Sequence, residues 1–287
     1  MSDVSETLLS PVPEAKLADW LRGRGRKIVC HRGRYWETSG IQGYYRPIHW
    51  MARMVASEAT RPTPFAWGFW TTLAVSDAGF ANGALPVHVL DNYKQYDLQS
   101  LSSKRRNKVR NCLKKVKFIQ ISDPDLLYEQ GYEVLISNVQ RTGFGKVPTY
   151  VDYKKDVEQY FIHHPGVLIG GLIDGKLAGY AFAYAIGSTA YIDSLYLTTE
   201  SLSSNIGTAM VFELIQMFRR SNEIKEVINS PHIIENASLS KFKKEMGFSV
   251  LHVPTRRWFA PPLEKILIEG YMRKKRPHGY YRLCGHY

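Results

Sequence analysis

The stretch Asn236-Ala-Ser-Leu-Ser-Lys-Phe-Lys-Lys-Glu-Met-Gly-Phe248 decides how this chain folds. An Asn opens a short amphipathic helix, because its side-chain oxygen can take a free first-turn amide. A Gly-Phe pair closes it, and Gly is the residue that leaves a helix most cheaply. Upstream lies a second strand-to-helix junction, Leu195-Tyr-Leu197 followed by Ser204-Asn-Ile-Gly-Thr-Ala209.

The upstream junction has the chemistry of a pyrophosphate cradle. Backbone N–H groups at a helix N-terminus point at an anion, and the helix dipole favours negative charge there. Close approach needs small residues at the turn, and Ser203, Ser204, Asn205, Gly207, Thr208 and Ala209 provide them. Alone, such a Ser/Gly-rich start also reads as an ordinary helix cap.

The two junctions, in this order, resemble the acyl-CoA site of the GCN5-related N-acetyltransferase (GNAT) superfamily. Its first junction reads Arg/Gln-x-x-Gly-x-Gly/Ala. Gly207 and Ala209 match the last two positions, and Ser204 replaces the Arg or Gln. The second junction opens on an Asn, and the spacing from Asn236 to Gly247-Phe248 matches without a gap. The resemblance implies an acyl-CoA co-substrate, acetyl-CoA or another, contacted by Leu195, Leu197, Ser204, Asn205, Ile206, Gly207, Thr208 and Ala209. Asn236 would hydrogen-bond the pantetheine arm. The Tyr that usually protonates the leaving thiolate is replaced by Lys243, preceded by Phe242.

That Phe-Lys pair is similar to the Fem-type branch and to related cell-wall acyltransferases. The stretch Ser102-Ser-Lys-Arg-Arg-Asn-Lys-Val-Arg-Asn-Cys-Leu-Lys114 resembles their basic helix, and Arg141-Thr-Gly-Phe144 resembles their Arg-x-Gly-Phe. Fem-type chains are two GNAT-like halves, the first often degenerate. The resemblance runs from about Ser102 to Val253.

The site chemistry follows. An acceptor amine must lose a proton, and the leaving thiolate must be protonated or stabilised. Counting back from Gly207, Asp193 falls where GNAT enzymes keep a carboxylate base, between aromatic Tyr191 and Tyr196. A hydrogen-bonded strand Asp without a catalytic role is the equal alternative. A backbone N–H near Leu197, left free where strands splay, would meet the oxyanion. Lys243 would stabilise the thiolate or contact a phosphate; in the Lys241, Lys243, Lys244 run it also reads as a solvated helix lysine.

Composition sets the outer limits. The 287 residues suffice for one large or two small domains with real cores, and 44% hydrophobic and 13% aromatic residues argue for a folded chain. The net charge of +12 makes a polyanion a natural partner: nucleic acid, a CoA-type phosphate or an anionic membrane face. Cys30, Cys112 and Cys284 are odd in number and far apart, which fits a reducing compartment. Met1–Glu14 has no apolar run of signal length, and the apolar run Val167–Gly187 is broken by Asp174-Gly-Lys176, the mark of a hairpin rather than a membrane span. A cytoplasmic protein without a transmembrane segment is expected.

Three zones differ in texture. Strand-like pieces are expected at Lys27–Thr38, Gly43–Met54 and Leu85–Leu90, with a short buried helix at Thr63–Val75. A basic helix capped by Ser102 or Ser103, a strand Lys117–Ile121 and helices Asp123–Arg141 and Tyr150–His163 come next. Strands Val167–Ile173, Lys176–Ile186 and Thr189–Leu197 then lead into helix Ile206–Ser221, strand Lys225–Asn229, helix Ala237–Met246 and strand Ser249–Val253. The fold class is α/β: a GNAT-like mixed sheet with flanking helices, preceded by a smaller α+β region of degenerate GNAT character. The expected divisions are 1–101, 102–260 as the acyltransferase domain, and a tail 261–287 with one helix and an aromatic-basic end.

The remaining candidates are weaker. His163-His164 reads as a helix C-cap rather than a metal ligand, and no His/Asp/Glu set has zinc-ligand spacing, so no metal is expected. The basic helix reads as a solvated face, a nucleic-acid contact or a CoA-phosphate contact. The tail Arg273–Arg282 mixes charge and aromatics in a way that suits stacking on RNA or packing on the first domain. Three functions remain open: transfer of an acyl group from acyl-CoA to an amine, a Fem-like transfer from aminoacyl-tRNA, and a non-catalytic GNAT-like binding protein.

Overall fold

The computed structural model describes residues 2–39, 42–162, 164–232 and 236–261. In chain order the strands are β1 (Ser2–Asp3), β2 (Ile28–His31), β3 (Arg34–Thr38), β4 (Tyr44–Pro47), β5 (Gly68–Thr72), β6 (Gly83–Leu90), β7 (Val116–Gln120), β8 (Gly166–Ile173), β9 (Lys176–Ile186), β10 (Thr189–Leu197), β11 (Glu226–Pro231) and β12 (Ser249–Phe259). The helices are α1 (Glu14–Gly23), α2 (Ser103–Leu113), α3 (Tyr132–Thr142), α4 (Tyr150–Phe161), α5 (Ile206–Arg220) and α6 (Ala237–Glu245). The chain forms two compact units, neither of them a single consecutive stretch. One holds Met1–Val12, Val89–Ser230 and Lys241–Ser249; the other holds Pro13–His88, Pro231–Ser240 and the chain from Val250 on.

The first unit is built on the strand order β1-β7-β8-β9-β10-β11. Its pairs are antiparallel except the last, β10 with β11, which is parallel. The β8–β9 hairpin turns on Asp174 and Gly175, both at positive φ (49° and 78°), so the turn twists with its strands. Side chains alternate across β9. Ala181, Ala183 and Ala185 face one way and share a core with Met210, Leu214 and Phe218 of α5. Small side chains let that helix lie close to the sheet. Tyr180, Phe182 and Tyr184 occupy the other face; Phe182 packs on Tyr160 of α4, with ring centroids 4.5 Å apart.

The second unit has the order β6-β12-β5-β4-β3-β2. Here too a run of antiparallel strands, β2-β3-β4, meets a parallel neighbour, at Tyr44↔Gly68 and Tyr45↔Phe69 of β4 and β5. Tyr44 stacks on Phe259 at 5.1 Å, and Trp67 covers the pair.

The main elements from Ser102 to Val253 lie where the residue pattern puts them, and three expectations upstream or nearby change. Thr63–Val75 is not a buried helix: its centre, Gly68-Phe-Trp-Thr-Thr72, is strand β5, buried at every position. A short run covered on both faces loses its period, and β-formers such as Phe, Trp and Thr then decide for strand. The helix expected from Asp123 opens at Asp125–Leu126, passes through a π turn at Leu127–Gly131 and is α-helical again from Tyr132. Lys27–Thr38 is a hairpin, divided by Arg32 and Gly33 at φ 51° and 75°. Helix α1 had no counterpart in the sequence reading. The tail helix, Cys284, His163 and the Arg273–Arg282 segment lie outside the described residues.

Candidate active site

The site is where β10 and β11 part. They pair in parallel at only three positions, Thr189↔Glu226, Ala190↔Val227 and Tyr191↔Ile228. Beyond Tyr191, β10 stays bonded to β9 as far as Leu197, whereas β11 runs on through Asn229 and Ser230. A gap therefore opens, with Asp193 on one edge and Asn229–Ser230 on the other.

Asp193 is the extra residue of a β-bulge: the register with β9 jumps between Ile192 and Ser194. A bulge re-aims a side chain without ending the strand, and Asp193 is exposed while Ile192 before it is buried. Its carboxylate reaches the aromatic face of the sheet electrically. The phenols of Tyr160 and Tyr196 are held above their ordinary range by burial first and by the Asp193 charge second.

On the opposite edge stands Lys243. It is not a solvated helix lysine: it is 3% exposed. Its ammonium donates to the Asn229 carbonyl at 2.8 Å and to Ser230 Oγ at 2.5 Å. Ser230 holds a left-handed backbone, φ 63°. Burial disfavours the charged form and brings the Lys243 pKa down to about 8. An ammonium has three donors, and these two bonds leave one for a reacting group.

Below the gap lies the first turn of α5. Asn205 precedes it in the left-handed region (φ 61°) after a 3-10 turn over Glu200–Ser204. A Cβ on Gly207 would sit 2.9 Å from Leu197 Cδ1, so glycine is what lets the end of β10 and the helix start approach. Ile206 and Ala209 are buried, and Leu195 is half-buried. Ser204, in the place of the usual Arg or Gln, donates to the Ser201 carbonyl at 2.6 Å.

A guanidinium reaches this turn from elsewhere. Arg105 of α2 donates through Nη1 to Thr208 Oγ1 at 3.0 Å and through Nε to Glu245 Oε2 at 2.8 Å. It also stands 5.1 Å over the Phe242 ring. The sequence offered Arg105 only as one charge of a basic helix. Asn138 of α3 was missed altogether. It is buried, and its Oδ1 accepts from Leu197 N at 3.3 Å and from Arg141 Nη2 at 2.8 Å. The Leu197 N–H, expected free for an oxyanion, is therefore engaged: strand splaying released it from β11, and Asn138 took it up. The available signal was the i,i+3 spacing of Asn138 and Arg141.

Asn236 caps α6, accepting from Leu239 N at 3.0 Å. Cys112 is buried, and burial pushes its thiol up to about 11, so it is an inert core residue. Among the described residues no group of three His, Cys, Asp or Glu is placed to hold a metal ion, and no helix is long and apolar enough to cross a membrane.

Residues 135–248 match the family model described as Acetyltransferase (GNAT) family. This segment is a GNAT domain. No curated protein sequence matches the chain. Among solved structures, FemX superposes with a TM-score of 0.61 at 11% identity, covering 92% of this chain and 96% of that one. L-PGS from Bacillus licheniformis gives 0.57 at 11% identity over 98% and 100%. The C-terminal domain of a putative lysylphosphatidylglycerol synthetase from Agrobacterium fabrum gives 0.55 at 10% over 84% and 85%. At such identities the likeness is one of fold, and it extends well beyond the GNAT domain.

Proposed function

We propose that the chain is an N-acyltransferase that moves an acyl group, acetyl in the first instance, from acyl-CoA to an amine. The observation that carries this reading is the opposed pair at the β10–β11 gap: exposed Asp193 on the bulge and buried Lys243 on the other edge. Asp193 takes a proton from the acceptor amine, which then attacks the thioester carbonyl. The C–N bond forms and the C–S bond breaks. Lys243 donates a proton to the departing thiolate. A pKa of about 8 for Lys243 lies close to the ~8.5 of a free thiol, so that transfer is nearly balanced. The N–H groups of Ile206 and Gly207 at the start of α5 suit the pyrophosphate, those of Asn205, Thr208 and Ala209 being bonded to the Leu202 and Asn205 carbonyls, and Leu195, Leu197 and Asn236 remain the proposed contacts for the pantetheine arm. The cytoplasmic setting expected from the cysteines suits a CoA thioester.

The direct test is calorimetry with acetyl-CoA followed by turnover on a panel of amines. Binding, with turnover lost in Asp193→Asn and Lys243→Met, is the expected result. Absence of binding at millimolar ligand refutes the reading. Binding without turnover on any amine favours the non-catalytic alternative.

One observation favours a second donor. Residues 102–117 carry eight Lys or Arg and no acid, and the full-length fold likeness is to FemX and L-PGS. A Fem-like transfer from aminoacyl-tRNA would use that basic helix, and binding of charged tRNA would then fall steeply with salt. Salt-insensitive or absent tRNA binding eliminates it.

A further inference from the structure

Beyond Tyr191, the edge of β10 that faces the gap is covered by side chains of α3 rather than by a strand. The N–H of Thr198 crosses to β9 and donates to the Ala178 carbonyl at 3.0 Å. Amides alternate between the two edges of a strand, so the N–H of Leu197 points the other way, into the gap that β11 leaves. Asn138 Oδ1 accepts it there at 3.3 Å. One residue earlier on α3, Ser137 Oγ accepts from Thr199 N at 2.9 Å. Two consecutive helix residues thus cover two alternate amides at the strand end.

Asn138 carries more than this pairing needs. Its Oδ1 has two lone pairs, and the Leu197 amide and Arg141 Nη2, the latter at 2.8 Å, use both. Both partners are donors, which fixes Oδ1 as the atom that faces them. A carboxylate would accept the same two bonds and pair more strongly with the guanidinium. What the carboxamide adds is Nδ2 with two hydrogens, and among the described residues neither meets an acceptor. Asn138 is only 9% exposed. Buried amide hydrogens are seldom left unmatched, so the acceptor for these is sought in a ligand.

The surroundings strengthen that donor. Arg141 and the Leu197 amide draw electron density toward Oδ1, and linked hydrogen bonds polarise one another. The Nδ2 hydrogens become more positive. Nδ2 shares a carbon with Oδ1, so they lie at the same strand edge. The first turn of α5 meets that strand end where Gly207 approaches Leu197. An arm running from this turn toward Asp193 and Lys243 therefore passes Asn138.

Taking acyl-CoA as the donor, as proposed above, we infer that Asn138 is a further catalytic residue: its Nδ2 donates to the thioester carbonyl oxygen and holds the negative charge that gathers there when the amine attacks. The side chain thereby takes the place of the Leu197 N–H, which it occupies. The carbonyl electron pair moves onto oxygen as the C–N bond forms and returns as the C–S bond breaks. No proton leaves Asn138.

Acetyl-CoA and S-ethyl-CoA differ only in the carbonyl oxygen, so the pair isolates a bond to it. Calorimetry on the full chain should show acetyl-CoA binding about 5-fold tighter, the scale of one neutral hydrogen bond. Acetyl-CoA labelled with carbon-13 at the carbonyl should show that carbon shifted downfield on binding. Asn138→Asp keeps an acceptor for Leu197 and Arg141 and loses only the Nδ2 hydrogens. It should abolish both effects and leave S-ethyl-CoA affinity nearly unchanged, whereas a role confined to stapling α3 to β10 predicts no change in either. Equal affinity for the two ligands in the wild type, or an undiminished preference in Asn138→Asp, overturns the inference and leaves the acyl-CoA reading standing. Binding of neither ligand refutes the acyl-CoA reading and this role with it. The wild-type comparison decides even if the variant fails to fold.

Discussion

Two crossovers in this molecule start alike and end differently. In each, the last strand of an antiparallel run pairs in parallel with the next strand at only two or three positions: β4 with β5, and β10 with β11. Between β10 and β11 the chain makes α5, whose first turn carries Asn205, Gly207 and Ala209. Between β4 and β5, residues 48–67 make turns and no helix. The strand pattern alone therefore supplies no anion site. Such a site needs a helix whose first N–H groups have no partner, set against a strand end that a glycine allows close. The second unit keeps the strand pattern, and no helix joins its β4 to β5.

The sharpest way to break the contrast is to remove Lys243, which serves only the β10–β11 gap. Lys243→Met should lower single-turnover rates about 100-fold or more, the usual scale for losing a general acid, with acetyl-CoA affinity nearly unchanged. A wild-type rate in that variant would remove Lys243 from the mechanism.

Stability against pH gives an independent measure of the same residue. Its folded pKa is lowered from 10.5 to about 8, so between those values the unfolded chain binds more protons than the folded one. Stability then rises with pH across that window, and below about pH 8 the buried ammonium costs the fold its full penalty. Integrated, the rise is about 3 kcal/mol at most. Denaturant midpoints for the wild type and Lys243→Met at pH 7.5 and 10 isolate it; parallel profiles would show that Lys243 is solvated.

A pair of glycines compares the two crossovers directly. Gly207→Asp places a carboxylate in the first turn of α5, where it suits the helix dipole but opposes a phosphate. Acetyl-CoA affinity should fall about 30-fold, equivalent to ~2 kcal/mol. Gly43 before β4 has φ +85° and Trp67 Cδ1 2.5 Å from a built Cβ. Gly43→Ala should cost more than about 1 kcal/mol of stability and leave acetyl-CoA affinity unchanged. An equal loss of affinity in both variants would erase the distinction between the crossovers.

The smallest expected effect restores a side chain. Ser204→Arg returns the residue that GNAT junctions usually carry, and should tighten acetyl-CoA a few-fold through a charge-assisted bond. No gain would indicate that Arg105, already bonded to Thr208, supplies the charge from α2.

Much was legible from residue patterns because the relevant signals are local. Capping by Ser102 and Asn236, the Asp174-Gly175 turn and the small residues from Ser204 to Ala209 each act within a few positions. They sufficed to place the helices and strands of the GNAT domain and to single out Asp193 and Lys243. What the chain could not reveal by itself depends on contacts between distant segments. The burial of Lys243 arises because Asn229 and Ser230, more than ten residues earlier, supply its acceptors. Asn138 reaches Leu197 from another helix, and Arg105 joins α2, α5 and α6 through one guanidinium. Local patterning specifies which elements form; desolvation and hydrogen-bond pairing, which exist only once those elements pack, turn an unremarkable lysine in a charged run into a buried ammonium bonded to Asn229 and Ser230 at the gap.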